Sequence, residues 1–291
     1  MDGIDVYADF RYNEVKISHR KGAYMSDSQS KTPILVVKVG TATITHPGGQ
    51  PNLDIMERLA RSLHDVRQNG HQVVLVSSGS IALGRSWMDM KKPKELPLKQ
   101  ALAAIGQVRL MSLYHKLFGE YGHKVAQVLL TKDELTEDSR RTNALNTFQT
   151  LLSMDVIPIV NENDTVATDE IESGGTFGDN DALSAMVAVL LRAEMLIMLS
   201  DVDGLFDQNP KGNHGARLIP EVCGIDEHIR GLGQDTDSDR GRGGMRTKVE
   251  AACLCNDAGI PAVITNGNAP RNIQAILSGE GIGTLFIPKG T

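Results

Sequence analysis

Val156-Ile157-Pro158-Ile159-Val160-Asn161-Glu162-Asn163-Asp164-Thr165 joins an apolar run to a cluster of carboxylates and carboxamides. The run is short and uncharged, and it reads as a buried strand. Downstream, Asp179-Asn180-Asp181 opens Leu183-Ser184-Ala185-Met186-Val187-Ala188-Val189-Leu190-Leu191, which reads as a buried helix. Polar side chains at strand C-termini and helix N-termini, in a sheet flanked by helices, are where α/β proteins put ligands. These side chains suit a small polar ligand carrying an amine and carboxylates.

Outward from that stretch the pattern repeats. Ile34 to Gly40 is a β-rich run interrupted by Lys38, and from Asn52 the residues Ile55, Leu59, Leu63 and Val66 recur at helical spacing until Asn69-Gly70. Strands are expected at 73–76, 125–130, 156–160, 195–199 and 261–265, with helices from 81, at 98–121, 142–154, 181–191, 246–258 and 270–278. Leu285-Phe286-Ile287 is expected to close the sheet. Strands alternating with helices predict βαβ crossovers, hence an α/β three-layer αβα sandwich around a mostly parallel sheet. No Pro- or Ser-rich linker splits it, so residues 33–291 are read as one domain and 1–32 as an N-terminal extension outside the core. Met25 precedes a polar leader, and residues 1–24 have no functional reading.

Composition narrows the function. Lys plus Arg number 30 against 36 Asp plus Glu, a net charge of −6, which argues against generalised nucleic-acid binding. No apolar stretch is long enough to span a bilayer. The N-terminus has neither an apolar signal core nor the acid-poor composition of a transit peptide. Cys223, Cys253 and Cys255 form no paired CxxC elements; they are read as small buried hydrophobes, and free thiols suit a reducing cytoplasm. No metal site is expected among the protein's own side chains.

Several residues invite chemistry. Lys38 stands inside an apolar strand just before Gly40, where a turn would bring backbone N–H groups toward an anion; the plainer alternative is an edge-strand lysine reaching solvent. Ser77-Ser78-Gly79-Ser80 lies between a strand and a helix and could cap the helix, bind an anion, or both. Gly241-Arg242-Gly243-Gly244-Met245-Arg246-Thr247-Lys248 is a second glycine-rich turn, with Lys248 one turn inside the next helix. The wider segment 231–244 reads as a mobile loop or a lid. Neither GxxxxGK[ST] nor a GxGxxG after the first strand occurs, which argues against P-loop and Rossmann sites. Two lysines, two glycine-rich turns and acidic groups together describe a phosphoryl-transfer site.

In order and content, Lys38-Val39-Gly40-Thr41, Val76 to Ala82, Asn161-Glu162-Asn163-Asp164, Gly178 to Ser184 and Gly243 to Lys248 resemble the amino acid kinase family, from about Pro33 to about Pro288. The resemblance implies that family's fold and an ATP-dependent kinase. The Asn-Glu-Asn-Asp and Gly-Asp-Asn-Asp motifs resemble members that phosphorylate the side-chain carboxylate of L-glutamate on the route to proline. By the same resemblance, Lys38 and Lys248 would bear on the transferring phosphoryl group, with Asp181 orienting both. Ser78, Gly79, Asn161, Asp164 and Asn180 would hold the amino acid. Gly40, Ser200, Asp201, Gly243, Gly244 and Met245 would join the two lysines around ATP, with Mg²⁺ held mostly by phosphates and water. A homo-oligomer and feedback inhibition by proline are further family expectations.

The chain departs from the pattern in two places. Many bacterial members carry a PUA domain after the kinase domain; this chain stops at Thr291, so that module is expected to be absent. Arg242 and Arg246 put added charge into the glycine loop. Two alternatives stand beside the main reading: a relative acting on another carboxylate, and a non-catalytic amino-acid or nucleotide sensor. The absence of Arg and Lys between Asn161 and Asp181 disfavours a phosphate acceptor.

Overall fold

The computed structural model describes residues 32–167, 180–210, 213, 215–233 and 244–289. The chain runs through β1 (Ile34–Val39), α1 (Thr41–Ile44), α2 (Leu53–Gln68), β2 (Gln72–Ser77), α3 (Ser80–Trp87), α4 (Leu96–Gly119) and β3 (Lys124–Leu130). It continues through α5 (Asp133–Thr136), α6 (Asp138–Ser153), β4 (Val156–Glu162), α7 (Asn180–Leu191), β5 (Met195–Ser200), β6 (Glu221–Cys223) and α8 (Glu227–Leu232). α9 (Met245–Asp257), β7 (Ala262–Asn266), α10 (Asn272–Leu277) and β8 (Thr284–Ile287) follow. Among the described residues these strands form one eight-stranded sheet in the order β3-β4-β2-β1-β5-β7-β8-β6.

The pairings from β3 across to β7 are parallel; β8 runs antiparallel to β7 and pairs in parallel with β6. The expectation for 285–287 is corrected in one respect. β8 joins the sheet but does not end it, because the three-residue β6, too short to leave a pattern, lies outside it. Cys223 ends that edge strand and is exposed, contrary to its reading as a buried hydrophobe; alternation puts Val222 inward and its neighbours outward. Cys253 and Cys255 are buried on α9 as expected.

The two faces of the sheet build two apolar layers. Leu35, Val37 and Val39 of β1 pack with α2, α4 and α10 residues such as Leu59, Tyr114 and Ile273. Val36 points the other way, into the layer formed by α7 and α9. Period-two alternation therefore turns Lys38 toward α7 and α9 as well. The edge-strand alternative for Lys38 is excluded, since β1 is paired on both sides, with β2 and β5. Among the described residues, no helix is long and apolar enough to cross a membrane.

Candidate active site

Lys38 is 3% exposed, Lys248 6% and Asp181 not at all. Their burial is tolerable because they neutralise one another. Asp181 Oδ1 forms an ion pair with Lys38 Nζ, and Asp181 Oδ2 receives Lys248 Nζ at 3.0 Å and Thr247 Oγ1 at 2.8 Å. Burial pushes the Asp181 carboxyl up, but the charges and hydrogen bonds of Lys248 and Lys38 outweigh it and hold the group well below the usual carboxylate range. Stranding either charge would cost about 3–5 kcal/mol. The cluster carries one net positive charge, at the C-terminal end of the central strand.

Sequence position explains why these three meet. Asp181 is the second residue of α7 and Lys248 the fourth of α9, so both lie in first turns that end above β1. Lys38 Nζ lies 3.7 Å from where a Cβ on Gly40 would stand, so the ammonium and the Gly40 backbone are neighbours. Lys248 also lines a cleft of about 560 Å³, partly open to solvent, with Ser200, Asp201, Phe206, Gly244 and Met245.

On the other side of β1, carboxamides take over. Asn180 Nδ2 donates to Ser78 Oγ at 2.9 Å and to Asn161 Oδ1 at 3.0 Å, and Asn161 Nδ2 donates to Gln107 Oε1 at 2.9 Å. Ser80 Oγ donates to Asp164 Oδ2 at 3.1 Å. The serines are thus bound up with the site and do not cap α3, whose N-cap is Gly79 without a side-chain bond. Gly79 has φ +109°, a left-handed backbone conformation that favours glycine.

Most of the residues expected from the sequence converge here: Lys38, Gly40, Ser78, Gly79, Asn161, Asp164, Asn180, Asp181, Gly244, Met245 and Lys248, with Ser200 and Asp201 in the cleft. Gly178, Asp179, Arg242 and Gly243 lie outside the described residues, as do residues 234–243 of the expected lid. Its first residues, Gly231 and Leu232, instead end helix α8.

Gln107 was missed, and Ser80 and Thr247 stood only inside the two glycine-bearing turns, with no role of their own. Gln107 had a signal, because it interrupts the buried α4 stripe of Ala103, Gly106 and Leu110. A polar side chain on a core-facing stripe needs a partner. Ser80 and Thr247 were marked only by their places in those turns, and nothing in the sequence singled out their hydroxyls.

The amino acid kinase family profile matches residues 33–266. The glutamate 5-kinase of Clostridium perfringens is 47% identical over 256 residues, covering 88% of this chain and 95% of that enzyme. The glutamate 5-kinase of Carboxydothermus hydrogenoformans is 49% identical over 257 residues, covering 88% of this chain and 68% of that enzyme. Among solved structures, carbamate kinase from Giardia lamblia bound to AMP-PNP superposes with TM-score 0.62 at 18% identity, over 90% of this chain and all of that one. The solved structure speaks to the fold; the profile and the sequence identities speak to descent. By both, the chain belongs to the amino acid kinase family, in its glutamate 5-kinase branch.

Proposed function

We propose that this chain transfers the γ-phosphoryl group of ATP to the side-chain carboxylate of L-glutamate, giving L-glutamyl 5-phosphate and ADP at the first step of proline biosynthesis. The observation that carries the reading is the position of Lys38–Asp181–Lys248 between the cleft and the carboxamide pocket. A carboxylate oxygen of glutamate attacks the γ-phosphorus, the bond to the β–γ bridging oxygen breaks, and ADP departs. The nucleophile is already ionised near neutral pH, so no general base is required. Lys38 and Lys248 offset the charge on the transferring oxygens, and buried, preorganised cations do this far better than water.

Asp181 positions both lysines. Both of its oxygens are engaged by ammonium groups, so it does not suit a metal ligand. Mg²⁺ would enter with ATP, held by phosphate oxygens and water. Asp164 would receive the substrate ammonium, with Ser78, Gly79, Asn161 and Asn180 around the amino acid. Gly40, Ser200, Asp201, Gly243, Gly244 and Met245 would complete the ATP site. Residues 33–291 would act as one kinase domain in the cytoplasm. Exposed Trp87, Met88, Met90, Ile105 and Val108 on and beside α3 and α4 support a homo-oligomer. An amino-acid pocket of this kind is also where proline would compete.

The deciding assay follows ATP consumption with L-glutamate, L-aspartate, N-acetylglutamate and carbamate. Glutamate alone should support turnover; preference for another acceptor sinks the assignment, and inertness with all four favours a sensor.

A further inference from the structure

The carboxamide chain beside β1 has a direction, and a backbone group sets it. The Glu162 N–H can only donate, and it donates to Asn161 Oδ1 at 2.9 Å. That orients the Asn161 amide, so its Nδ2 faces Gln107 and makes the facing Gln107 atom the acceptor, Oε1. Gln107 must then turn its own Nε2 away from Asn161. This donor is buried on a side chain only 8% exposed, and it has no hydrogen-bond partner among the described residues. The opposite end of the chain behaves inversely. Asn180 spends both Nδ2 hydrogens on Ser78 and Asn161, and its Oδ1 is a buried acceptor without a partner among the described residues. One end of the network thus offers donors and the other an acceptor.

Both ends sit at one place. A Cβ on Gly106 would be 1.7 Å from Ser80 O, so the α4 backbone beside Gln107 touches the Ser78–Ser80 turn, where Ser80 also holds Asp164. An α-amino acid carries a matched pair, an ammonium that needs acceptors and a carboxylate that needs donors. Asp164 and Asn180 Oδ1 supply the first need.

We propose that Gln107 supplies the second: its Nε2 donates to the α-carboxylate of the substrate and makes Gln107 a specificity-determining residue. The proposal rests on the glutamate reading above. A buried donor left without its acceptor is costly, so an acceptor lacking the α-carboxylate is penalised twice.

Kinetics with L-glutamate, 4-aminobutyrate (no α-carboxylate) and glutarate (no ammonium) test this in the full chain. Gln107→Glu keeps an oxygen for Asn161 and removes the amide donor; Gln107→Met keeps the volume and removes both functions. In whichever variants fold, kcat/KM for glutamate should fall about 10- to 100-fold, the range for a hydrogen bond to a charged group. The loss should appear in the glutamate KM, with the ATP KM unchanged. Preference for glutamate over 4-aminobutyrate should shrink by the same factor, while preference over glutarate holds. An equal fall for all three acceptors, or an unchanged glutamate KM, overturns the proposal and leaves Gln107 a structural amide. Failure of the wild-type chain to use glutamate would overturn the underlying assignment, and is read from a different lane of the same assay.

Discussion

Asp181 is fully buried between two ammonium groups, and its ionised state is therefore part of the fold. Its folded-state pKa lies below the unfolded value, so the stability it contributes is present above about pH 4 and is lost as pH falls below that. Chemical unfolding between pH 6 and 3 should show wild-type stability dropping more steeply with acid than that of Asp181→Asn. Parallel slopes would contradict it. Lys38→Ala should lower kcat by about 10²–10³-fold, the scale of one lost transition-state donor. Tm should fall only modestly, because Asp181 retains Lys248. A kcat near wild type would remove Lys38 from phosphoryl transfer. Asp164→Asn keeps the turn and deletes the charge; the glutamate KM should rise at least about 30-fold, as for a broken charge pair worth about 2–5 kcal/mol, and the ATP KM should hold. An unchanged glutamate KM would mark Asp164 as a turn residue.

At the scale of elements, close backbone contact positions the half of the site proposed to hold the amino acid. Gly84 of α3 and Gly106 of α4 face each other so tightly that a Cβ on Gly84 would lie 2.0 Å from Leu102 O. Neither neighbour is a flexible side-chain tip, so backbone would have to move. Gly106→Ala should destabilise the protein by about 1–3 kcal/mol and raise the glutamate KM while sparing that of ATP; thermal melts with two-substrate kinetics check both. Long elements were legible because their patterns are long. Asn52 was expected to cap α2, and its side chain does accept from Ile55 N–H. α1, α5, β6 and α8 were not foreseen: the first three span four residues or fewer, and α8 buries no side chain that could mark a face.

Across the whole molecule, β1 is where the connection reverses: the chain leaves it toward β2, β4 and β3, then returns to β5 and β7 on its other side. That is the switch point at which open α/β sheets bind ligands. It divides the site, with Ser78, Asn161 and Asp164 at the C-terminal ends of β2 and β4, and Ser200 and Asp201 at that of β5. The described sheet and both halves of the site come from residues 34–287. Deleting residues 1–24 should therefore leave Tm and glutamate-dependent ATP turnover unchanged; loss of either would make that segment a structural element. The sequence by itself determined the alternation of elements, the polar strand ends and the misplaced Lys38, because periodicity and misplaced charge are written locally; the grouping of Lys248 and Asp181 with it came from the family resemblance. Only the tertiary structure decided that Lys38 is central and not at an edge, that the serines hold Asn180 and Asp164 and do not cap a helix, and that Gln107 meets Asn161. Each depends on strand order or on two backbones touching far apart in the chain, and no local pattern encodes such a meeting.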